Sequence, residues 1–283
     1  MKVVVTGSAG KIGRPALAAL RAAGHRAVGL DIAGPIEPGR QLRCDCTDFG
    51  AVMGALSGID PAGGVPDAVV HLAGIPAPGL ATDEMTFSVN TGSTYNIFSA
   101  CARLGIRKIV WASSETILGL PFDEPPAFAP LDETHPDRPN WSYALAKQLG
   151  ETMADTFVRW HGDMAIVSLR FSNVFTADDY AGLAKMQADP ARRKWNLWSY
   201  VDADDAAEAC VRAVEASVTG HQRLLIAAAD TLIDRPSAEL MGQFFPDAPL
   251  HGVADSQSLQ PSARAAELIG YRPQHSWRDR AQP

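Results

Sequence analysis

Short apolar runs and one-sided amphipathic stretches alternate along this chain from its N-terminus as far as Arg170. Lys2–Val5, Ala27–Leu30, Gln41–Cys44, Ala68–Leu72, Lys108–Ala112 and Ala165–Arg170 are brief and rich in Val, Ile and Leu, and predict buried strands. Between them, Ile12–Ala23, Phe49–Leu56, Asp83–Leu104 and Tyr143–His161 predict helices. Strict strand–helix alternation implies an α/β fold. Right-handed crossovers make it a doubly wound parallel sheet, with ligands at the carboxyl ends of the strands. After Arg170 the pattern loosens. The proline-containing stretch Thr176–Asn196 precedes a predicted helix at Asp205–Ala216 and a strand near Leu224–Ala227. Ser237–Phe245 and Ser262–Ile269 read as further short helices. The expected division is a larger unit at 1–170 and a small C-terminal lobe at 171–283. The lobe is interleaved with the sheet, because the strand near 224–227 rejoins it. Leu120–Pro139 holds six prolines and suits a surface loop bordering a site.

Composition narrows the function classes. With 283 residues, 46% of them hydrophobic, the chain has ample core for one large α/β unit. A net charge of -7 argues against nucleic acid or an anionic membrane surface as partner. No apolar run approaches the roughly 18 residues of a membrane-spanning helix, and the N-terminus enters a strand without a charged, apolar leader. The four cysteines (Cys44, Cys46, Cys101 and Cys210) include no Cys-x-x-Cys pair. They read as reduced, buried small hydrophobes in a cytoplasmic protein, with no metal site.

The first strand leads into Thr6-Gly7-Ser8-Ala9-Gly10-Lys11-Ile12-Gly13 and then a helix. In that context Gly7 permits a tight turn, Gly10 lets backbone approach a pyrophosphate, and Gly13 allows close helix–strand packing. The free N–H groups of the helix start favour the anion. Asp31 closes the second strand, downstream of that turn, where a carboxylate accepts both ribose hydroxyls and repels a 2′-phosphate. NAD is thereby favoured over NADP, although Lys11 and Arg14 pull the other way. Asp45, with Cys46 beside it after the third strand, is placed to meet the adenine; an ordinary turn acid would look the same.

Tyr143-Ala-Leu-Ala-Lys147 puts a phenol and an ammonium on one helix face, one turn apart. A phenol with its ordinary pKa of about 10 is a poor base at neutral pH, and a neighbouring cation stabilises the phenolate. The pair follows Ser114 in the chain and reads as a proton-transfer device downstream of a dinucleotide site.

Taken in order, the glycine turn, His71-Leu72-Ala73-Gly74, Asn90-Thr91-Gly92, Ser113-Ser114-Glu115-Thr116, Tyr143-x-x-x-Lys147 and Leu169-Arg170-Phe171-Ser172-Asn173 resemble the extended short-chain dehydrogenase/reductases. That branch is also called the NAD-dependent epimerase/dehydratase family. The resemblance spans nearly the whole chain. It implies a Rossmann fold at 1–170 with a small C-terminal substrate-binding lobe at 171–283. Tyr143 is then the acid/base, Lys147 lowers its pKa and holds the nicotinamide ribose, and Ser114 orients the substrate oxygen. Leu72, Ala73 and Gly74 would line the cofactor, Asn90 would support it, and Phe171, Ser172 and Asn173 would shape its junction with substrate. Many relatives dimerise through the two long helices, so a homodimer is implied.

Departures from the family pattern narrow the reaction. Ser114-Glu115-Thr116 stands where dehydratases carry Thr-Asp-Glu, which argues against dehydration. The lobe that follows Phe175 is shorter than in family members that grip a nucleotide diphosphate. Arg192-Arg193-Lys194 precedes Trp195 and Trp198 in a layout resembling the uronate dehydrogenases of the family. Arg192 or Arg193 is a candidate for a substrate carboxylate or phosphate, although a solvated basic loop fits equally. Glu115, Thr116 and Asn173 are candidates for substrate hydroxyls. The expectation is an NAD-dependent oxidoreductase acting on a secondary alcohol or hemiacetal of a sugar or sugar acid. The alternative is a nucleotide-sugar epimerase working through a transient ketone. A redox-sensing binding protein is a third reading, disfavoured because the Tyr/Lys pair is intact.

Overall fold

The computed structural model describes residues 1–37, 40–58, 64–122 and 124–280. Its strands are β1 (Lys2–Thr6), β2 (Arg26–Asp31), β3 (Gln41–Arg43), β4 (Ala68–His71), β5 (Lys108–Ser114), β6 (Ala165–Phe171), β7 (Val174–Phe175), β8 (Val201–Asp202) and β9 (Gly220–Ile226). The helices are α1 (Gly13–Ala22), α2 (Phe49–Leu56), α3 (Asp83–Leu104), α4 (Ser142–Trp160), α5 (Ala177–Tyr180), α6 (Leu183–Ala188), α7 (Ala203–Glu215), α8 (Ser237–Phe244), α9 (Ala263–Ile269) and α10 (Trp277–Arg280). Tight 3₁₀ turns occupy Glu115–Leu118 and Pro190–Asn196.

Seven strands make one sheet in the order β3-β2-β1-β4-β5-β6-β9, every pair parallel. Such a sheet is covered on both faces, which is why its strands read as continuous apolar runs. One face packs α1, α7 and α9 over Val3, Val5, Val70, Val167 and Leu224. The other packs α2, α3 and α4 over Val4, Val69, Ile109, Trp111 and Ile166. Strand order reverses between β1 and β4, and a crevice opens at their carboxyl ends. Helix α4 lies close on β5 because residue 150 is glycine: a Cβ there would sit 2.3 Å from the Trp111 ring.

The looser C-terminal third resolves into two clusters. Leu118, Leu120, Phe122, Trp198, Leu240 and Leu259 form one, and Phe175, Tyr180, Tyr200 and Trp277 the other. Thr176–Asn196 contains α5, α6 and a 3₁₀ turn, each too short to show periodicity. The helix expected from Asp205 starts at Ala203, because the Asp202 carboxylate accepts from the Asp204 backbone N–H at 2.8 Å and caps it. The strand expected near 224–227 is β9, which pairs with β6 along its whole length.

Candidate active site

A cavity of about 980 Å³ runs along the carboxyl ends of the strands, from the β2 and β3 edge to β5 and β6. At its centre the backbone turns sharply after β1. Gly7 has φ +66°, and a Cβ on it would lie 2.7 Å from the Ala73 nitrogen. A Cβ on Gly13 would lie 2.1 Å from the Gly7 carbonyl oxygen. Both positions therefore hold backbone against backbone, and any side chain would force the turn open. No side chain caps the start of α1; Arg14 N–H bonds the Gly10 carbonyl at 3.2 Å and Pro15 has no N–H, so the helix start acts on the cavity chiefly through its partial positive charge. Asp31 closes β2 with Oδ2 accepting from Ala9 N–H (2.8 Å) and Oδ1 from Ala33 N–H (2.9 Å). The Asp45 carboxylate accepts from the Thr47 backbone and hydroxyl, and Cys46 lies buried beside it. This is a cradle that fits a dinucleotide: a glycine turn leading into a helix start for the pyrophosphate, and acids at the ribose end.

The predicted cofactor contacts Gly7, Gly10, Lys11, Ile12, Gly13, Asp31, Asp45, Cys46, Leu72, Ala73, Gly74, Phe171 and Ser172 all line this cavity. Asn90 does not. Its amide clamps the loop after β4, accepting from Ile75 N–H at 2.8 Å and donating to Ile75 O at 3.0 Å. Lys11 turns from the glycine turn toward the lobe, where its ammonium bonds the Val174 carbonyl at 2.8 Å and pairs with Asp179 at 2.7 Å.

Ser114, Tyr143 and Lys147 meet at the opposite end of the cavity. Ser114 ends β5, and its oxygen accepts from the Thr116 backbone (3.2 Å) and hydroxyl (3.0 Å), leaving its own proton to donate outward. The Lys147 ammonium donates to the Ala112 carbonyl at 2.6 Å and lies 5.6 Å from the Tyr143 ring centroid. Burial pushes the Tyr143 phenol up to about 12; the Ser114 hydrogen bond pulls it down, and the Glu115 charge raises it. Burial also pulls Lys147 down to about 8. In the protein alone, burial thus leaves Tyr143 a weaker base at neutral pH than the Tyr143–Lys147 spacing implies. His71, at the end of β4, is pulled by burial to about 3 and stays neutral while its Nδ1 meets the Thr6 hydroxyl at 2.7 Å.

Beneath this group lies a buried ionic network that the motif reading did not include. Glu151 follows Lys147 by one helical turn. It accepts from Ser113 Oγ (2.6 Å), Arg170 Nε (2.9 Å), Arg170 NH2 (2.7 Å) and Arg223 Nε (2.9 Å). Tyr143, Lys147 and Glu151 form an i, i+4, i+8 stripe, all buried against β5. That spacing was the available signal.

The predicted substrate residues separate. Thr116 and Asn173 line the cavity. Glu115 also borders it, but its carboxylate is already occupied, accepting from Ser172 Oγ (2.7 Å), Gln260 Nε2 (2.9 Å) and Asn196 Nδ2 (3.1 Å). Burial pushes Glu115 up to about 7 against those hydrogen bonds and the Arg193 charge. Arg193 is buried behind the wall and donates to Asn173 Oδ1 and the Ser199 carbonyl, both at 2.9 Å. Arg192 is outside the lining: its guanidinium is exposed and 3.6 Å from Asp189. A run of adjacent basic residues on a 3₁₀ turn points its side chains in different directions, which the sequence cannot resolve. Trp141, Trp195, Leu120 and Pro121 complete the substrate end.

Fold and cavity together define an α/β dinucleotide-binding protein of the short-chain dehydrogenase/reductase type. The sequence pattern of the NAD dependent epimerase/dehydratase family matches residues 3–227, and the chain belongs to that family. The chain is 29% identical over 233 residues to L-arabinose 1-dehydrogenase (NAD(P)(+)) of Haloferax volcanii, with 77% of this chain and 84% of that protein covered. To the uronate dehydrogenase of Pseudomonas syringae pv. tomato it is 25% identical over 224 residues, covering 78% and 72%. A short-chain dehydrogenase/reductase superfamily protein from Agrobacterium tumefaciens, solved with bound NAD, superposes with a TM-score of 0.74 at 22% identity, covering 99% and 95% of the two chains. The resemblance read from the motifs is therefore met at the level of family and fold. Among the described residues, no helix is long and apolar enough to cross a membrane, and no His/Cys/Asp/Glu group could hold a metal ion.

Proposed function

We propose that this chain is an NAD-dependent dehydrogenase that oxidises a secondary alcohol or hemiacetal carbon of a sugar. The observation that carries the reading is the meeting of Ser114, Tyr143 and Lys147 in the same cavity as the glycine cradle. Ser114 donates to the substrate oxygen and orients it, and Tyr143 takes the hydroxyl proton as general base. Bound NAD supplies the hydride acceptor and, through its positive nicotinamide, a charge that favours the phenolate. Lys147, fixed on the Ala112 carbonyl and part of the cavity lining, would hold the nicotinamide ribose. Asp31 favours NAD over NADP by repelling a 2′-phosphate.

Residues 1–170 act as the NAD-binding domain and 171–283 as the substrate lobe, although α7 and β9 return to pack on and extend the sheet. Four free, buried cysteines support a reducing cytoplasmic setting. Helices α3 and α4 pack together and leave Met85, Tyr95, Leu145 and Trp160 exposed, which supports a homodimer through that pair. Light scattering should give twice the mass of the chain, 30.2 kDa; a monomeric mass at micromolar concentration removes the dimer.

The family description also names epimerases. Incubation with NAD and a panel of free sugars, uronic acids and nucleotide sugars separates the two activities. A dehydrogenase accumulates NADH in step with product. Change of sugar stereochemistry without net reduction would establish the epimerase instead, and no change of either kind sinks both.

A further inference from the structure

We propose that the substrate end of the cavity is built for an uncharged free aldose, and discriminates against uronates, sugar phosphates and nucleotide sugars. This rests on the reading of the site as a sugar dehydrogenase.

The inference follows from where the cations are. Among the described residues, the cavity lining holds two, Lys11 and Lys147, and none of the residues outside the described ranges is Lys or Arg. Lys11 sits at the glycine turn with Asp179 and the Val174 carbonyl as partners. Lys147 is buried beneath Tyr143 with its ammonium on the Ala112 carbonyl. Both ammonium groups are already committed to protein partners.

Arg193 reaches the lining residue Asn173 from behind, and its partners already occupy it. Its NH1 and NH2 donate to Asn173 and the Ser199 carbonyl, its guanidinium carbon lies 5.5 Å and 4.9 Å from the Phe175 and Trp195 ring centroids, and its charge opposes buried Glu115. Redirecting it to a substrate carboxylate would break two buried hydrogen bonds and leave Glu115 without its counter-ion. Arg192 and Arg138 point outward to Asp189 and Glu124.

Apart from Glu115, whose carboxylate is taken up by Ser172, Asn196 and Gln260, the side chains completing this end are neutral. Trp141 and Trp195 offer rings for the C–H face of a sugar, and Leu120 and Pro121 extend the apolar wall. The Trp141 indole is fixed by donating to the Leu120 carbonyl at 3.2 Å. The Asn173 oxygen is held by Arg193, which leaves its amide N–H₂ as the donor this lining residue can offer; Thr116 adds a hydroxyl. Hydroxyls entering here exchange water for neutral partners at little cost. A carboxylate or phosphate gives up its hydration with no cation to replace it.

The test compares matched sets on the wild-type enzyme with saturating NAD. Each neutral hexose (D-galactose, D-glucose) is run against its uronate, its terminal phosphate and its UDP derivative, at constant ionic strength. L-Arabinose is run beside them as a neutral sugar without the exocyclic carbon that carries the uronate and terminal-phosphate charges; the UDP derivative carries its charge at the anomeric oxygen instead. The expected result is a kcat/KM at least about tenfold higher for the neutral member of each set, carried mainly by KM. A uronate, phosphate or UDP sugar that equals or exceeds its neutral counterpart overturns the proposal while leaving the dehydrogenase reading intact. No NADH from any member overturns both. Arg193→Met supplies the second arm. It should not improve the anion-to-neutral ratio, and an enzyme whose uronate activity alone collapses assigns Arg193 to a substrate carboxylate and overturns the inference.

Discussion

Replacing Tyr143 with Phe should lower kcat by roughly 10²–10⁴-fold while leaving NAD affinity within a factor of about three. The variant removes one oxygen and keeps the ring against Lys147 and β5, so packing is preserved and only proton transfer is lost. Calorimetric titration with NAD alongside turnover distinguishes the two effects. Turnover within about threefold of wild type would refute the assignment and revive a ligand-sensing role for the fold. The pH dependence has a definite sign. Burial raises the phenol to about 12, and oxidation needs the phenolate, so the rate should rise with pH. The negative charge of Glu115 adds to that elevation. Glu115→Gln, which keeps the shape and removes the charge, should therefore move the rising limb to lower pH.

The second large effect concerns stability. Glu151→Ala should cost on the order of 3–5 kcal/mol, because Arg170 is only 1% exposed and would keep Asp137 as its remaining ionic partner. For a chain of this size that corresponds to a fall in melting midpoint on the order of 10 °C. The Ser113 hydroxyl, next to Ser114, loses its acceptor in the same substitution. Burial alone would raise the Glu151 carboxyl, but the Arg170 hydrogen bonds and charge outweigh it and hold it below the ordinary carboxylate range. A depressed folded pKa gives stability that is present above the unfolded value, near about 4.3, and lost as pH falls through the folded value. The gap between wild type and variant should accordingly narrow on acidification. A midpoint change under about 2 °C at neutral pH would show that the network carries little.

These two residues also mark how far the sequence could be read. Tyr143 stood out because a phenol and an ammonium one helical turn apart, after a glycine turn, have chemistry in common. Glu151 lies one more turn along the same face, yet nothing in the spacing names its partners. Arg170 and Arg223 are 19 and 72 residues away and arrive through strand pairing. Likewise, adjacent Arg192 and Arg193 are alike in sequence and opposite in structure, one exposed beside Asp189 and one buried behind Asn173.

By itself the sequence determined the alternation of strands and helices, the parallel sheet that alternation requires, the glycine turn and the Tyr143–Lys147 face. All of these depend on contacts between near neighbours or on periodicity, which the chain carries locally. Tertiary structure alone decided the electrostatics: that burial raises Tyr143 and lowers Lys147, that Glu115 is consumed by Ser172, Asn196 and Gln260, and that Arg193 is an internal counter-ion. The reason is physical. Desolvation and charge pairing depend on which groups exclude water from one another, and here those groups lie as far apart in the chain as Glu115 and Gln260, separated by 145 residues.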